Sequence, residues 1–221
     1  HQEETKPWSG SHHDLAIQPA TKETVLGDFA DTRFIHNKIT SRFFSKDGKY
    51  FVETDGENGK IDSFPIRYTF GVTPLQQYLV ELPNGKLQAL GIAWDSRPAD
   101  EGGQHWFHVY GQEPIDHKDV LHWTRFSANW ETMCADCHST NLLSKYDLEQ
   151  DRFTTTWDEL NVSCEACHGP GSRHIAWVHD NPDSESLPHA GFDIAFDERR
   201  NVVWQLQAKT GNSQRSIPRI T

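Results

Sequence analysis

Residues 42–54, RFFSKDGKYFVET, predict the fold of the amino-terminal half of this chain. Two runs rich in aromatic and β-branched residues flank Asp47-Gly48, a dipeptide that favours the two-residue turn of a β-hairpin. We therefore expect residues 42–46 and 49–54 to pair as antiparallel strands.

The same pattern, runs of β-favouring residues separated by turn dipeptides, continues from about residue 32 to residue 94. Asn58-Gly59 and Asn84-Gly85 are further turn dipeptides between β-rich runs. We expect strands at 63–70, 78–82 and 87–93, the last two joined through Pro83-Asn84-Gly85. Because residues 31–98 hold no cysteine and only one histidine, His36, a small antiparallel sheet with a structural role is predicted there.

All four cysteines belong to two copies of Cys-x-x-Cys-His, which are Cys134, Cys137 and His138, and Cys164, Cys167 and His168. This pattern is typical of c-type haem, in which both thiols attach to the porphyrin and the histidine is the proximal iron ligand. Two Cys-x-x-Cys pairs separated by 26 residues also suit a tetrahedral zinc site. A third interpretation is that the cysteines form disulfides. Haem explains more residues, because zinc requires neither these histidines nor 13 histidines against one methionine.

The amino-acid composition bears on the core of the protein, on its partners and on whether it crosses a membrane. Only 35% of the 221 residues are hydrophobic and the mean hydropathy is −0.72, so haem is expected to supply part of the apolar core. A formal charge of −11 argues against binding to nucleic acid or to an anionic membrane surface. The sequence contains no run of 18 apolar residues, so no transmembrane segment is predicted. The amino terminus does not show the charged and then apolar pattern of a signal segment.

Histidines and tryptophans crowd around both motifs between about residues 102 and 180, where short helices are predicted at 127–138 and 156–168. We expect haem, more than backbone periodicity, to organise this part. The predicted class is α+β, a small antiparallel β-sheet region beside a mostly helical and irregular multihaem region. The predicted segments are a haem-ligand segment at 1–30, a β region at 31–98, a multihaem c region at 99–180 and an extended tail at 181–221, with a candidate strand at 202–206.

The second axial ligand of each iron is expected to be histidine. Met133, the single methionine, adjoins Cys134 and cannot easily reach the far face of a haem anchored there. His174 is the first candidate, six residues past His168 across Gly169-Pro170-Gly171. That tether is too short to wrap round one porphyrin, so His174 is expected to serve a neighbouring haem.

Other histidines are weaker candidates, since any one of them can be an ordinary hydrogen-bonded side chain. The candidates are His122 and His13, with His36 and His108 in reserve.

Several of these residues together resemble a known family. Trp8, Ser11, His13, the two motifs and the run GPGS at 169–172 ahead of His174 are similar to multihaem c-type cytochromes of the cytochrome c554 type. The chain resembles still more closely the bacterial multihaem cytochromes with carboxy-terminal tetratricopeptide repeats, which share runs such as YTFGVTPLQQY at 68–78. In that family a tryptophan follows a haem-binding histidine by seven residues, as Trp8 follows His1. The resemblance therefore implies a further motif ending at His1, and more haem motifs and helical repeats after residue 221.

The resemblance also implies an axial ligand set. Its proximal members are His1, His138 and His168, and its distal members are His13, His122 and His174. Three of each predict three six-coordinate haem c groups, with the pairing left open.

The predicted function is electron transfer through closely packed bis-histidine haems in the bacterial periplasm or outside the cell, where such haem is attached in the resembling proteins. Partners would be redox proteins or neighbouring multihaem subunits, including a filament or a homo-oligomer. Two alternatives stay open. One is a multihaem oxidoreductase acting on a small nitrogen or sulfur oxyanion at an open haem, and the other is a zinc-stabilised binding domain.

Overall fold

A nine-stranded antiparallel sheet dominates the computed structural model, which describes residues 2–182, 190–192, 194, 202–207 and 213–216. Its strands are β1 (Ile17–Pro19), β2 (Ala30–His36), β3 (Ile39–Lys46), β4 (Lys49–Asp55), β5 (Ile61–Phe70), β6 (Leu75–Glu81), β7 (Leu87–Ala89), β8 (Ile92–Asp95) and β9 (His105–His108). The order along the sheet is β2-β3-β4-β5-β6-β8-β9, while β1 pairs with β5 and β7 pairs with β6.

The hairpins predicted from the turn dipeptides are confirmed. β3 and β4 pair up to Lys46 and Lys49, and the turn between them has Asp47 at φ 52° and Gly48 at φ 74°. Two successive left-handed residues make the tight turn whose twist matches that of the strands. β6 and β7 form the second hairpin, but the strand expected at 87–93 is two separate strands, β7 and β8.

The sheet curls into a nearly closed barrel. His36 at the end of β2 and His108 at the end of β9 stack with ring centroids 4.0 Å apart, which brings the two terminal strands together. Inside, Phe43 of β3 stacks on Trp106 of β9 at 3.6 Å. The interior is therefore a packed aromatic core. Its buried members are Phe29, Phe43, Val52, Ile66, Tyr78, Val80, Leu90, Ile92, Trp94, Trp106 and Trp123.

A second core covers the outer face of the same wall. Tyr78 and Val80 of β6 point into the barrel, whereas Leu79 between them points outward and is also fully buried. Trp130 and Ala135 pack over Leu79. Since side chains alternate along a strand, β6 is covered on both faces, and the outer cover is the segment that carries the first Cys-x-x-Cys-His motif.

The expectation of a mostly helical multihaem region is wrong, since 35% of the described residues are in strands and 17% are helical. The described helices are short: α1 (Gln2–Trp8), α2 (Trp130–Met133), α3 (Ala135–His138), α4 (Cys164–His168) and α5 (Ser172–Asp180), with 3-10 turns at Ala99–Glu101 and Phe126–Ala128. Small two-stranded sheets pair β10 (Tyr146–Asp147) with β11 (Arg152–Phe153) and β12 (Trp204–Leu206) with β13 (Ser213–Arg215).

Two misjudged segments explain the error. Residues 105–108 continue the main sheet as β9, which pairs with β8, so the β region extends past residue 98. The helix expected at 156–168 forms only over α4, because Thr156 and Glu159 instead make bridges to Leu143 and Thr140. The strand candidate at 202–206 is confirmed over β12.

By its contacts the chain divides into two compact units, His1–Ala166 and Cys167–Thr221. The first holds the barrel and its outer cover, and the second holds α5 and the β12–β13 pair. Within the described residues, none of the helices has both the length and the apolar character needed to cross a membrane.

Candidate functional site

The first motif lies where two short helices meet. Asn129 caps α2, because its Oδ1 accepts hydrogen bonds from the Thr132 amide at 3.0 Å and the Thr132 hydroxyl at 2.7 Å. The helix breaks at Cys134, whose φ of −128° and ψ of −39° separate α2 from α3. Cys137 and His138 then occupy the last two positions of α3.

The thiols of this motif differ in environment. Cys134 packs against the outer core, whereas Cys137 is exposed. Burial raises the pKa of the Cys134 thiol, and the neighbouring Cys137 adds to the effect. In the absence of a bound group, the raised pKa favours the neutral thiol of Cys134.

The imidazole of His138 is half-buried against the edge of Phe70, with ring centroids 4.7 Å apart. Burial lowers the pKa of His138, which keeps the ring neutral, the form that binds iron. Further aromatic rings pack nearby, since the ring centroid of Trp157 lies 5.6 Å from that of Trp130 and 6.2 Å from that of Tyr68. Two thiols and a neutral imidazole beside an apolar aromatic surface suit a porphyrin, so these residues fit haem c.

A buried polar network fastens this segment to the barrel. The carboxylate of Glu131 accepts hydrogen bonds from the Leu87 amide and from the Asn129 side chain, both at 2.9 Å. Gln88 of β7 donates to the Trp123 and Arg125 carbonyl oxygens at 2.9 and 3.0 Å. Burial raises the pKa of Glu131. The network holds the chain ahead of Cys134 against the edge strand β7.

The second motif occupies helix α4. Cys164 and Cys167 are exposed, and the i, i+3 and i+4 positions of Cys164, Cys167 and His168 lie on one face of a helical turn. The two motifs therefore differ, because the second lies wholly in one helix, whereas in the first only Cys137 and His138 are helical and Cys134 precedes α3. No group of three or more histidine, cysteine, aspartate or glutamate side chains in the described ranges is placed to hold a metal ion.

His174 lies in the first turn of α5, where its Nδ1 is 2.6 Å from the carbonyl oxygen of Ala190. The carbonyl can only accept, so Nδ1 carries the proton and Nε2 carries the lone pair that binds a metal.

The amino-terminal segment lies close to Val162, two residues before Cys164. His13 is exposed, and its carbonyl oxygen accepts from the Val162 amide at 3.1 Å, while Trp8 donates to the Val162 carbonyl at 2.9 Å. His13 thus lies near Cys164 despite a separation of about 150 residues. His1 lies outside the described residues.

His122 is placed differently from the other predicted ligands. It is buried, its Nε2 is 3.2 Å from Asp55 Oδ2, and its Nδ1 is 2.8 Å from the Thr124 hydroxyl. Binding of iron by His122 would replace one of these hydrogen bonds. Its role as a ligand stays a prediction.

Asp55 and His122 belong to a polar end of the barrel that sequence reasoning missed. A small cavity of about 30 Å³ lies between them and the stacked pair His36 and His108. Burial opposes ionisation of Asp55, but the hydrogen bond and charge of His122 outweigh it and lower the pKa of that carboxyl. The available signal was weak, an acidic residue at the end of the predicted strand 49–54.

We expect this polar end to make the barrel sensitive to acid. Burial, with the nearby charges of His36 and His122, lowers the pKa of His108 from 6.5 to about 4. Because His108 resists protonation in the folded state, its contribution to the free energy of unfolding is fully present above pH 6.5. That contribution is lost as the pH falls towards 4. Urea unfolding across this range should show a steeper loss of stability for the wild type than for His108→Asn.

His105→Asn, at an exposed histidine of the same strand, is the control and should follow the wild type. Parallel pH curves for all three proteins would contradict this role of His108.

The geometry of the first motif is compatible with attachment of haem through its cysteines. Residues 110–169, which include both motifs, match the family model described as cytochrome c554 and c-prime. The match supports a c-type cytochrome that binds haem c and carries electrons. No match was found among curated proteins or among solved structures.

Proposed function

We propose that this chain is a multihaem c-type cytochrome that passes single electrons along closely packed bis-histidine haems. The observation that carries the proposal is that both Cys-x-x-Cys-His motifs lie inside one matched segment, each with its second cysteine and its histidine at the end of a short helix. Haem c, when bound, supplies a one-electron iron couple. The chain supplies attachment, axial ligands and an apolar wall.

The residues divide into three roles. The attaching thiols are Cys134, Cys137, Cys164 and Cys167, the proximal ligands are His138 and His168 with His1 as a third, and the distal ligands are His13, His122 and His174. The support is strongest for His138, which burial keeps neutral, and for His174, whose Nδ1 proton is directed to a carbonyl. Histidine on both faces, without methionine, favours low reduction potentials.

The proposed location is the bacterial periplasm or the cell exterior, because covalent attachment takes place there in the similar proteins. The proposed partners are redox proteins or neighbouring multihaem subunits, including a filament or a homo-oligomer. The charge of −11 disfavours polyanions and favours partners with a basic docking face.

The testing experiment is an optical spectrum of the purified protein, oxidised and then reduced with dithionite, with covalent haem counted per chain and carbon monoxide added last. We expect two low-spin haems on the four cysteines of this sequence, a third where the cysteines expected before His1 are present, and no response to carbon monoxide.

Other outcomes would replace the proposal. A fraction that binds carbon monoxide would reveal an open iron and favour the oxidoreductase acting on a nitrogen or sulfur oxyanion. A colourless protein that loses structure in chelator would favour the zinc-stabilised domain.

A further inference from the structure

A short turn beside α5 contacts the proposed distal ligand His174. The Ala190 carbonyl oxygen lies 2.6 Å from His174 Nδ1. Histidines that bind metals usually donate their other ring N–H to a carbonyl or carboxylate, which fixes the ring orientation and raises its basicity. Ala190 provides this partner from 16 residues further along the chain.

The same turn also places an aromatic ring on the imidazole. Phe192 stacks on His174 with centroids 4.1 Å apart and planes 13° apart. The Phe192 ring is also 5.5 Å from that of His168, the proximal ligand of the second motif. His174 is thus held by a hydrogen bond at its edge and by a ring against its face.

Gly191 allows the turn to approach the helix. Its φ is +77°, and a Cβ atom there would lie 2.7 Å from Trp177 Cβ, 2.8 Å from the Arg173 carbonyl oxygen and 2.9 Å from His174 Cα. All three distances are too short for a side chain, so only glycine fits this close contact. Ala190 is also left-handed, at φ 36°, a conformation costly for alanine.

We propose that the turn formed by Ala190, Gly191 and Phe192 is a positioning element that orients His174 and strengthens it as an axial ligand. The inference rests on the proposed function, because it assumes that His174 binds a haem iron. Neither Ala190 nor Phe192 needs to touch the iron, since both act through the imidazole.

The test is cyanide binding to the oxidised full chain carrying Gly191→Ala. The added methyl group should push the turn away from α5 and weaken the hydrogen bond between Ala190 and His174. His174 should then compete less well with cyanide for the haem iron. We expect the apparent affinity for cyanide at one haem to rise about 10–100-fold, with a matching change in its low-spin electron paramagnetic resonance signal. The number of covalent haems should stay the same.

Two control variants separate this effect from general strain. Gly102→Ala introduces alanine at φ +82° with nothing within 4 Å, so it adds strain without displacing a neighbour. Ala190→Gly keeps the carbonyl and relieves the left-handed strain. Both should bind cyanide as the wild type does.

Should Gly191→Ala fail to fold, Phe192→Leu removes the stacked ring without changing the turn and should raise cyanide affinity by a smaller factor. Wild-type cyanide binding in these test variants would overturn the inference. Failure of the proposed function looks different, because the wild type would then carry no covalent haem or His174→Ala would leave every haem unchanged.

Discussion

Replacing Trp130 with alanine is expected to lower the free energy of unfolding by about 3–5 kcal/mol. Trp130 is fully buried between the outward face of β6 and the first haem motif, where it contacts Trp157. Its removal leaves a cavity under Cys134 and Ala135 that the strands of the barrel cannot close. Urea unfolding of the purified protein measures the loss, and a lower haem content at the first motif should accompany it.

Trp130→Phe is the matched variant. In the described part of the chain no acceptor lies within hydrogen-bonding distance of the Trp130 indole N–H, so phenylalanine keeps an aromatic ring and removes an unsatisfied donor. Trp130→Phe should lower the free energy of unfolding by clearly less than Trp130→Ala does. Trp204→Ala, at an exposed position of β12, should change stability by no more than about 0.5 kcal/mol. Equal losses for Trp130 and Trp204 would contradict the structural role of the outer core.

Removal of either cysteine pair should remove one haem. Cys134→Ala with Cys137→Ala, and separately Cys164→Ala with Cys167→Ala, leave no thiol for attachment at the altered motif. Each double variant should lose one covalent haem per chain, measured by intact mass and by haem absorbance after denaturation. Unchanged haem content in both variants would exclude covalent attachment through these motifs.

The two pairs should differ in stability. Cys134 packs in the outer core, while Cys164 and Cys167 are exposed. The first double variant should therefore lower the thermal midpoint even when compared at equal haem loss, and the second should change it less. Identical midpoints would show that the Cys134 side chain contributes little to the packing.

The buried network around Glu131 explains why the first motif depends on the barrel. A carboxylate out of contact with water is stable only when it accepts hydrogen bonds, and Glu131 receives them from Leu87 and Asn129. The segment ahead of Cys134 is thereby linked to β7. A motif that looks local in sequence is held in place by a strand about 45 residues earlier.

Local signals predicted the hairpins well. Asp47-Gly48 favours two left-handed residues through its own backbone preferences, so β3 and β4 could be placed without knowledge of the rest of the chain. Helical propensity around the motifs was a poorer guide. Residues 139–160 form bridges and a small strand pair, because Thr156 and Glu159 find partners across the segment.

The sequence by itself predicted the attachment of haem, because two thiols and a histidine within five residues form a pattern that is local in the chain. Tertiary structure alone decided the stacking of His36 on His108 between the two ends of the sheet, the burial of His122 against Asp55, and the approach of Ala190 to His174. These contacts join residues 72, 67 and 16 positions apart. They depend on how the strands and helices pack, and no short pattern along the chain encodes that packing.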